Sequence, residues 1–234
     1  MARRRSLPRR LLTATRWPVG VLATGWAYTW RITVLHRREA DGTRADDGPP
    51  PWPPGTDTTG VQEPSDGSGA LLHRTYRSRV RDSRLDAAAL MERLQADPNV
   101  VAPGALARFE KAEGADGRMA VGDEFLIRMP GPWDGPVRVV HVDPGSFRFA
   151  TLDGHLEAGQ IEWGAADIGP GAVEFRIESW AAPGDRVSNL LHHRLRMAKE
   201  VQLHMWTSVH ERVARLCTGR LTGGIDIETR SVDG

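Results

Sequence analysis

The fold is decided by the stretch DRVSNLLHHRLRMAKEVQLHMWTSVHERVARLC, residues 185–217. A step of 100° per residue from Val187 places most of its apolar side chains on one broad face of a helix. These are Leu191, Leu195, Ala198, Val201, Met205, Trp206, Val209, Val213 and Leu216. Charged residues such as Arg196 and Glu200 fall on the opposite face. The pattern predicts one amphipathic helix of roughly 45 to 50 Å, and its charges exclude a membrane span.

Short segments with alternating apolar and polar residues precede this helix. Residues 125–129, 147–151 and 173–177 each place apolar side chains on one face and mostly polar ones on the other, which is typical of half-buried strands. Turn signals separate them, for example Asp153-Gly154 and Gly169-Pro170-Gly171. Connections this short leave no room for crossover helices, so the sheet is predicted to be mainly antiparallel.

The segment before these strands supplies the remaining elements. We predict a first strand over residues 72–80, a short helix over 86–95 and a second short helical turn over 103–109. The predicted fold is therefore α+β, with a curved, mainly antiparallel sheet gripping one long C-terminal helix and two short helices after the first strand. The gap between a curved sheet and a helix is a natural apolar cavity.

Charge divides the chain into unequal parts. Residues 1–38 carry nine Arg and no acid, hence +9, whereas the other residues carry 22 basic and 30 acidic side chains, hence −8. Residues 39–69 are rich in Pro and Gly and include the run PPPWPP, which predicts a linker or a loosely attached strap. Residues 70–230 are predicted to form one domain that folds without residues 1–60.

The basic N-terminal segment has several interpretations. Arg16 and Arg31 bracket 14 uncharged residues, three of them Trp, and a helix of about 21 Å is too short to cross a bilayer. Trp and Tyr beside Arg suit an anionic membrane surface. A signal peptide or a helix packed on the domain would explain the same residues. Nucleic-acid binding is disfavoured because Arg dominates everywhere, at 29 of 31 basic residues. We predict a cytoplasmic protein that can attach to the inner membrane face through residues 1–38.

Four longer strings resemble a known superfamily. They are MPGPWDGPVRVV (129–140), FATLDGHLEAGQIEW (149–163), IESWAAPGDR (177–186) and AKEVQLHMW (198–206). They resemble an uncharacterised domain-of-unknown-function family within the START-like superfamily, also called SRPBCC or helix-grip, and the resemblance covers about residues 70–230. It implies a deep cavity between sheet and helix of the kind that the superfamily uses for lipids, sterols and polyketides. It supplies no catalytic residues.

Motifs for several common chemistries are missing from the sequence. It has no GxSxG elbow, no GxGxxG or phosphate-binding loop and no HExxH, since His210-Glu211 lacks the second His. Adjacent His192 and His193 would diverge on a helix and could not share a metal ion. The single cysteine, Cys217, lies on the apolar stripe and is interpreted as an inert buried thiol. No metal and no cofactor are predicted.

The string GHLEAGQ, residues 154–160, contributes three candidate ligand-binding residues. These are His155, Glu157 and Gln160. Gly154 and Gly159 could allow a bulge that redirects the polar side chains inward, where His and Glu could orient or accept a proton. The alternative is a solvated hairpin turn whose polar residues face water.

The long helix contributes three more candidates. Gln202 falls inside the apolar face, where a buried amide must find a hydrogen-bond partner, and a sheet residue such as His155 or Glu157 could supply it. Met205 lies on the same face. Arg194, like Arg212, falls near that face and either extends past its edge into water or binds the anionic end of a ligand.

The sequence as a whole predicts binding of an apolar or amphipathic small molecule, such as a lipid, a polyketide or an isoprenoid-like compound, between sheet and helix. Two other functions stay open. One is an enzyme acting on such a ligand, of the cyclase or hydrolase type, and the other is a membrane-surface adaptor that holds no ligand.

Overall fold

The structure is a computed structural model that describes residues 33–104, 106–129, 134–184 and 192–232, apart from the side chains of residues 192–201. Its strands are β1 (Leu35–Asp41), β2 (Leu71–Arg81), β3 (Arg108–Glu113), β4 (Glu124–Arg128), β5 (Asp134–Val142), β6 (Ser146–Thr151), β7 (Glu157–Gly169), β8 (Ala172–Pro183) and β9 (Arg220–Val232). Its helices are α1 (Arg44–Asp47), α2 (Ala87–Ala96) and α3 (His192–Leu216), and two 3-10 turns cover Pro64–Asp66 and Pro98–Val100.

All nine of these strands form one sheet. Its order is β1-β9-β2-β8-β7-β6-β5-β4-β3. Strand β1 pairs in parallel with β9, and the other neighbours pair in antiparallel fashion. Strands β3 to β8 follow one another along the chain because their connecting turns are short. The α+β class, the mainly antiparallel sheet and the C-terminal helix are thus confirmed.

One face of the sheet, here called the inner face, packs against α2 and α3. Its largest fully buried side chains include Phe147, Phe149, Trp163 and Phe175. Among the described side chains of α3, buried residues recur at helical spacing at Trp206, Val209, His210 and Val213, and all five residues from Leu203 to Thr207 are buried. Met205, Trp206, Val209 and Val213, which belong to the predicted apolar face, are therefore buried. Residues 185–191, where the helix was predicted to begin, lie outside the described residues.

The region between β2 and β3 contains one α-helix and one 3-10 turn. Asp86 caps the N-terminus of helix α2, because its Oδ1 accepts a hydrogen bond from the Ala89 amide at 2.7 Å and so satisfies one of the free amides of the first turn. The second helical piece is Pro98–Val100, which lies earlier in the chain than the predicted turn at 103–109. The grip of the sheet on the helix and the count of two short helices stay predictions.

The opposite, outer face of the sheet is crossed by residues 43–68, here called the outer strap. The Gln62 amide donates to Thr151 O at 2.9 Å, and Arg138 Nη1 donates to Asp57 O at 2.9 Å. The Ser68 amide donates to Pro183 O at 2.7 Å. These contacts tie the Pro-rich segment to β5, β6 and β8. Independent folding of residues 70–230 remains a proposal.

Residues 1–32 lie outside the described part of the chain, so membrane contact by the basic segment remains a prediction. Within the described part, no helix combines the length and apolarity needed to cross a bilayer.

Candidate functional site

Three polar side chains meet on the inner face, at the end of the sheet where β7 begins. Arg74 Nη1 donates to Gln202 Oε1 at 2.7 Å, and Gln202 Nε2 donates to Glu157 Oε2 at 3.0 Å. Arg74 Nη1 also lies 3.5 Å from Glu157 Oε1. We call these residues the Arg74 cluster. The predicted partner of Gln202 among the sheet residues is thus found in Glu157.

Each member of the Arg74 cluster is positioned by a regular element. Arg74 lies on β2 in the same alternating register as Tyr76, Ser78 and Val80, which are all buried. Glu157 is the first residue of β7. Gln202 lies on α3 next to the buried Leu203. Because one side chain comes from each of three elements, the cluster joins the helix to both strands.

The side chain of Arg74 is largely buried, at 9% exposure. A buried cation is costly without a partner, and Glu157 provides the opposite charge. Glu157 itself is one-third exposed, so this end of the interior is not sealed from water. The cluster therefore lies at the boundary between the apolar core and solvent.

His155 lies beside the cluster without bonding to Gln202 in any described contact. Its Nδ1 is 3.0 Å from the Glu157 amide nitrogen and 2.9 Å from the Glu157 carbonyl oxygen. Its ring covers Gly135, where an added Cβ would meet the ring at 2.9 Å. Burial lowers the pKa of His155, although the charge of Glu157 opposes that shift. His155 is consequently a neutral ring that orients the turn before β7.

Glycines shape the entry to β7. Gly159 has φ of 153°, and an added Cβ would meet the Trp180 carbonyl oxygen at 1.9 Å. Gly154 has φ of 97°. The Gly159 amide donates to Thr151 Oγ1 at 2.9 Å. Only glycine permits this close approach of β7 to β8.

Gln160 does not join the cluster, because it points to the outer face. Its Oε1 accepts from Arg148 Nη1 at 3.1 Å, and its Nε2 donates to Pro50 O at 3.2 Å. Side chains alternate along a strand, so Glu157 and Gln160, three residues apart, lie on opposite faces of the sheet. Placing Gln160 in the same cavity as Gln202 is inconsistent with this geometry.

The remaining candidates on α3 differ in their surroundings. Met205 is buried in the core cluster. Arg212 is exposed, so its charged end extends into water, as Arg usually does. The side chain of Arg194 lies outside the described residues.

Aromatic rings fill the centre of the interior. Trp163 lies edge-on to Trp206 at 5.9 Å and to Phe175 at 6.1 Å, and tilted against Phe147 at 5.4 Å. Edge-to-face pairs of this kind add to the energy of burial.

Toward the Arg74 cluster the inward-facing residues become small. These are Gly135, Thr151, Gly159, Ser179 and Ala181.

A second polar pair lies deeper in the core. His210 is fully buried, and its Nδ1 lies 2.7 Å from Ser78 Oγ. Burial lowers the pKa of His210 to about 3, so the ring is neutral. Among the described residues, His210 Nε2 and Trp206 Nε1 have no hydrogen-bond partner. Cys217 is fully buried too, and burial raises the pKa of its thiol, which makes it a poor nucleophile.

Sequence reasoning missed Arg74 and the Ser78–His210 pair. The signal was present, because Arg74 and Ser78 share the alternating register of Tyr76 and Val80 on β2. A polar residue in an apolar register is informative in the same way as Gln202 on the helix.

Within the described part of the chain, no three His, Cys, Asp or Glu side chains are grouped so that they could hold a metal ion.

Comparison with known proteins identifies a family. The model of the family described as "Domain of unknown function (DUF1990)" matches residues 40–215, most of the chain. This confirms the family of unknown function that the sequence strings indicate. No curated protein matches the chain.

Solved structures give distant similarities. A START superfamily protein from Mycobacterium smegmatis is 10% identical, with a TM-score of 0.45 over 63% of this chain and 99% of that one. A conserved protein from Geobacillus kaustophilus is 10% identical, with a TM-score of 0.45 over 64% and 98%. Major latex-like protein 151 from Panax ginseng is 16% identical, with a TM-score of 0.43 over 62% and 98%.

Proposed function

This chain belongs to the DUF1990 family, and we propose that it binds an apolar or amphipathic small molecule between the inner face of the sheet and α3. The observation that carries the proposal is the buried, positively charged side chain of Arg74 at the edge of an aromatic core. An apolar surface with a few convergent polar groups is the usual composition of a small-molecule site.

The hydrogen-bonding capacity of Arg74 supports a ligand at this place. Guanidinium has five N–H donors, and the contacts to Gln202 and Glu157 both use Nη1. The other donors can serve a carbonyl, hydroxyl or carboxylate oxygen of a ligand. Because Glu157 offsets the charge of Arg74, the site can bind a neutral polar group of the ligand as well as an acidic one. The ligand thus has one polar end.

The size of the neighbouring residues supports an apolar body for the ligand. Ser179 and Ala181 have small side chains on the inner face beside the cluster, whereas Phe147 and Trp163 fill the face farther along. A lipid, polyketide or isoprenoid-like chain would lie over the small residues and end against the aromatic rings.

Replacement of Gln202 by leucine tests the site. The variant removes the acceptor of Arg74 and the donor to Glu157, so ligand affinity should fall by about tenfold. Stability should also fall modestly, because Arg74 loses one of its partners. Both are measured on the same purified protein, by mass spectrometry of retained small molecules and by thermal unfolding.

The matched control is Arg215→Leu, a polar-to-leucine change at an exposed position of the same helix. It should leave ligand retention unchanged. Unchanged retention in Gln202→Leu, together with a lower melting temperature, would make Gln202 a purely structural residue and contradict the site.

A further inference from the structure

The outer face carries a second polar arrangement that the proposed function does not use. His73 on β2 lies between two carboxylates, with Nδ1 at 2.8 Å from Asp47 Oδ1 and Nε2 at 2.7 Å from Glu178 Oε1. Its ring stacks on Trp180 at 5.3 Å with an interplanar angle of 12°. Asp47 belongs to the outer strap, whereas Glu178 and Trp180 belong to β8. His73 therefore joins the strap to the sheet.

Hydrogen bonds and ion pairs continue from Glu178 across three strands. Glu178 Oε2 lies 2.9 Å from Arg176 Nη1, and Arg176 Nη2 lies 3.0 Å from Glu162 Oε1. Glu162 Oε2 lies 3.5 Å from Arg148 Nε. Arg148 then donates to Gln160, which donates to Pro50 O. The chain of contacts thus begins at Asp47 and returns to the strap at Pro50.

The other charged groups near His73 come from every neighbouring element. They are Asp46 on α1, Arg77 on β2, Arg176 on β8, and Glu228 and Arg230 on β9. Arg230 Nη1 lies 3.6 Å from Asp47 Oδ1. Together with His73, Thr75, Asp47 and Glu178, most of them line a cleft of about 180 Å³. The cleft gives protons in water access to the imidazole.

Only a protonated imidazole can donate to both carboxylates, because the neutral ring has a single N–H. Loss of the proton would leave a bare ring nitrogen within 2.8 Å of a carboxylate oxygen at one of the two contacts. That contact would change from an ion pair to a repulsion between lone pairs. The contact to Asp47 is the one that can separate, because Asp47 lies on a short connecting segment and Glu178 lies inside the sheet.

The pKa shifts of His73, Asp47 and Glu178 agree with this geometry. Burial alone would lower the pKa of His73, but the bonds to Glu178 and Asp47 raise it overall. Burial would raise the pKa of Asp47 and of Glu178, yet the bond to His73 and nearby Arg residues lower both. His73 therefore stabilises the closed strap below its ordinary pKa, and that stabilisation is lost as pH rises through the raised value. Asp47 and Glu178 lose their contribution to this stabilisation only when the pH falls through their lowered pKa values.

We propose that residues 43–50 form a pH-sensitive closure over the outer face, held by His73 between Asp47 and Glu178. The segment is closed at neutral and mildly acidic pH. In alkaline solution it opens locally and uncovers the ring of Trp180. The rest of the strap stays attached through Gln62 and Ser68, whose contacts do not involve a titrating group.

Amide hydrogen exchange followed by NMR tests the closure. The informative amides are those of Thr43, Asp46 and Asp47, which are hydrogen-bonded in the closed segment. Protection factors, corrected for intrinsic exchange, are measured from about pH 6 to about pH 9. In the full chain they should fall by at least about fivefold across the titration of His73. Protection that stays constant would overturn the proposal.

Two variants make the assignment to His73 specific. In His73→Gln, which cannot be protonated, the same amides should show no dependence on pH in this range. The control His141→Gln removes another imidazole paired with a carboxylate, 2.8 Å from Asp143, and should keep the dependence of the unmodified chain. A pH dependence that persists in His73→Gln would contradict the closure.

A second measurement covers the case in which His73→Gln does not fold. Imidazole resonances of the unmodified chain should show His73 titrating above the ordinary histidine pKa, and the indole signal of Trp180 should move with the same midpoint. Different midpoints for the two residues, or an ordinary value for His73, would overturn the proposal.

Discussion

Replacing Arg74 by methionine is expected to weaken binding of the retained small molecule by at least about tenfold. The substitution keeps an unbranched but shorter side chain and removes the buried cation, which is the polar anchor of the proposed site. It also leaves Gln202 Oε1 without its donor. Affinity is measured by calorimetry with the molecule that copurifies with the unmodified chain, and thermal unfolding shows whether the fold is retained.

The control for Arg74 is Arg79→Met, on the same strand. Arg79 is 58% exposed and pairs with Glu174 on the outer face at 3.4 Å, so its loss should change neither affinity nor folding by much. Equal affinity of Arg74→Met and the unmodified chain would show that the cluster only holds the helix on the sheet.

Replacing Trp163 by alanine is expected to lower the free energy of unfolding by about 3 to 5 kcal/mol. Trp163 is 1% exposed and contacts rings from β3, β6, β8 and α3. Its removal would leave a cavity that these rings cannot collapse to fill. Denaturant unfolding monitored by circular dichroism gives the change in free energy.

Trp52→Ala is the matched control, since Trp52 lies on the outer strap, only partly buried, where its Nε1 bonds to Glu63. It should cost less than about 1 kcal/mol. A similarly small cost for Trp163→Ala would mean that the aromatic cluster does not form the core.

Local periodicity was sufficient to predict α3 and most strands of the sheet. Trp206, Val209 and Val213 are buried as the helical spacing requires. The same reasoning should have separated Glu157 from Gln160, because a strand places residues three apart on opposite faces. The sequence analysis considered a bulge or a hairpin turn for the GHLEAGQ string, whereas a regular strand, β7, begins at Glu157.

Strands β1 and β9 could not be predicted from local pattern. Most residues of β1 are exposed, so it shows no apolar alternation, and in β9 only the short run around Ile225 and Ile227 alternates, directly after Gly223-Gly224. Their pairing depends on partners far away in the sequence, since Leu35 pairs with Ile225. The contacts of Arg74 with Gln202 and of His73 with Asp47 also join residues that lie far apart in the sequence.

The most direct test of the proposed function is mass spectrometry of small molecules retained by the full chain after purification without detergent. The expected result is one apolar or amphipathic compound in roughly equimolar amount, released on denaturation and reduced in Arg74→Met but not in Arg79→Met. A preparation that retains no such compound, and that binds none when offered fatty acids, fatty alcohols and isoprenoid alcohols, would contradict a ligand site between the sheet and α3.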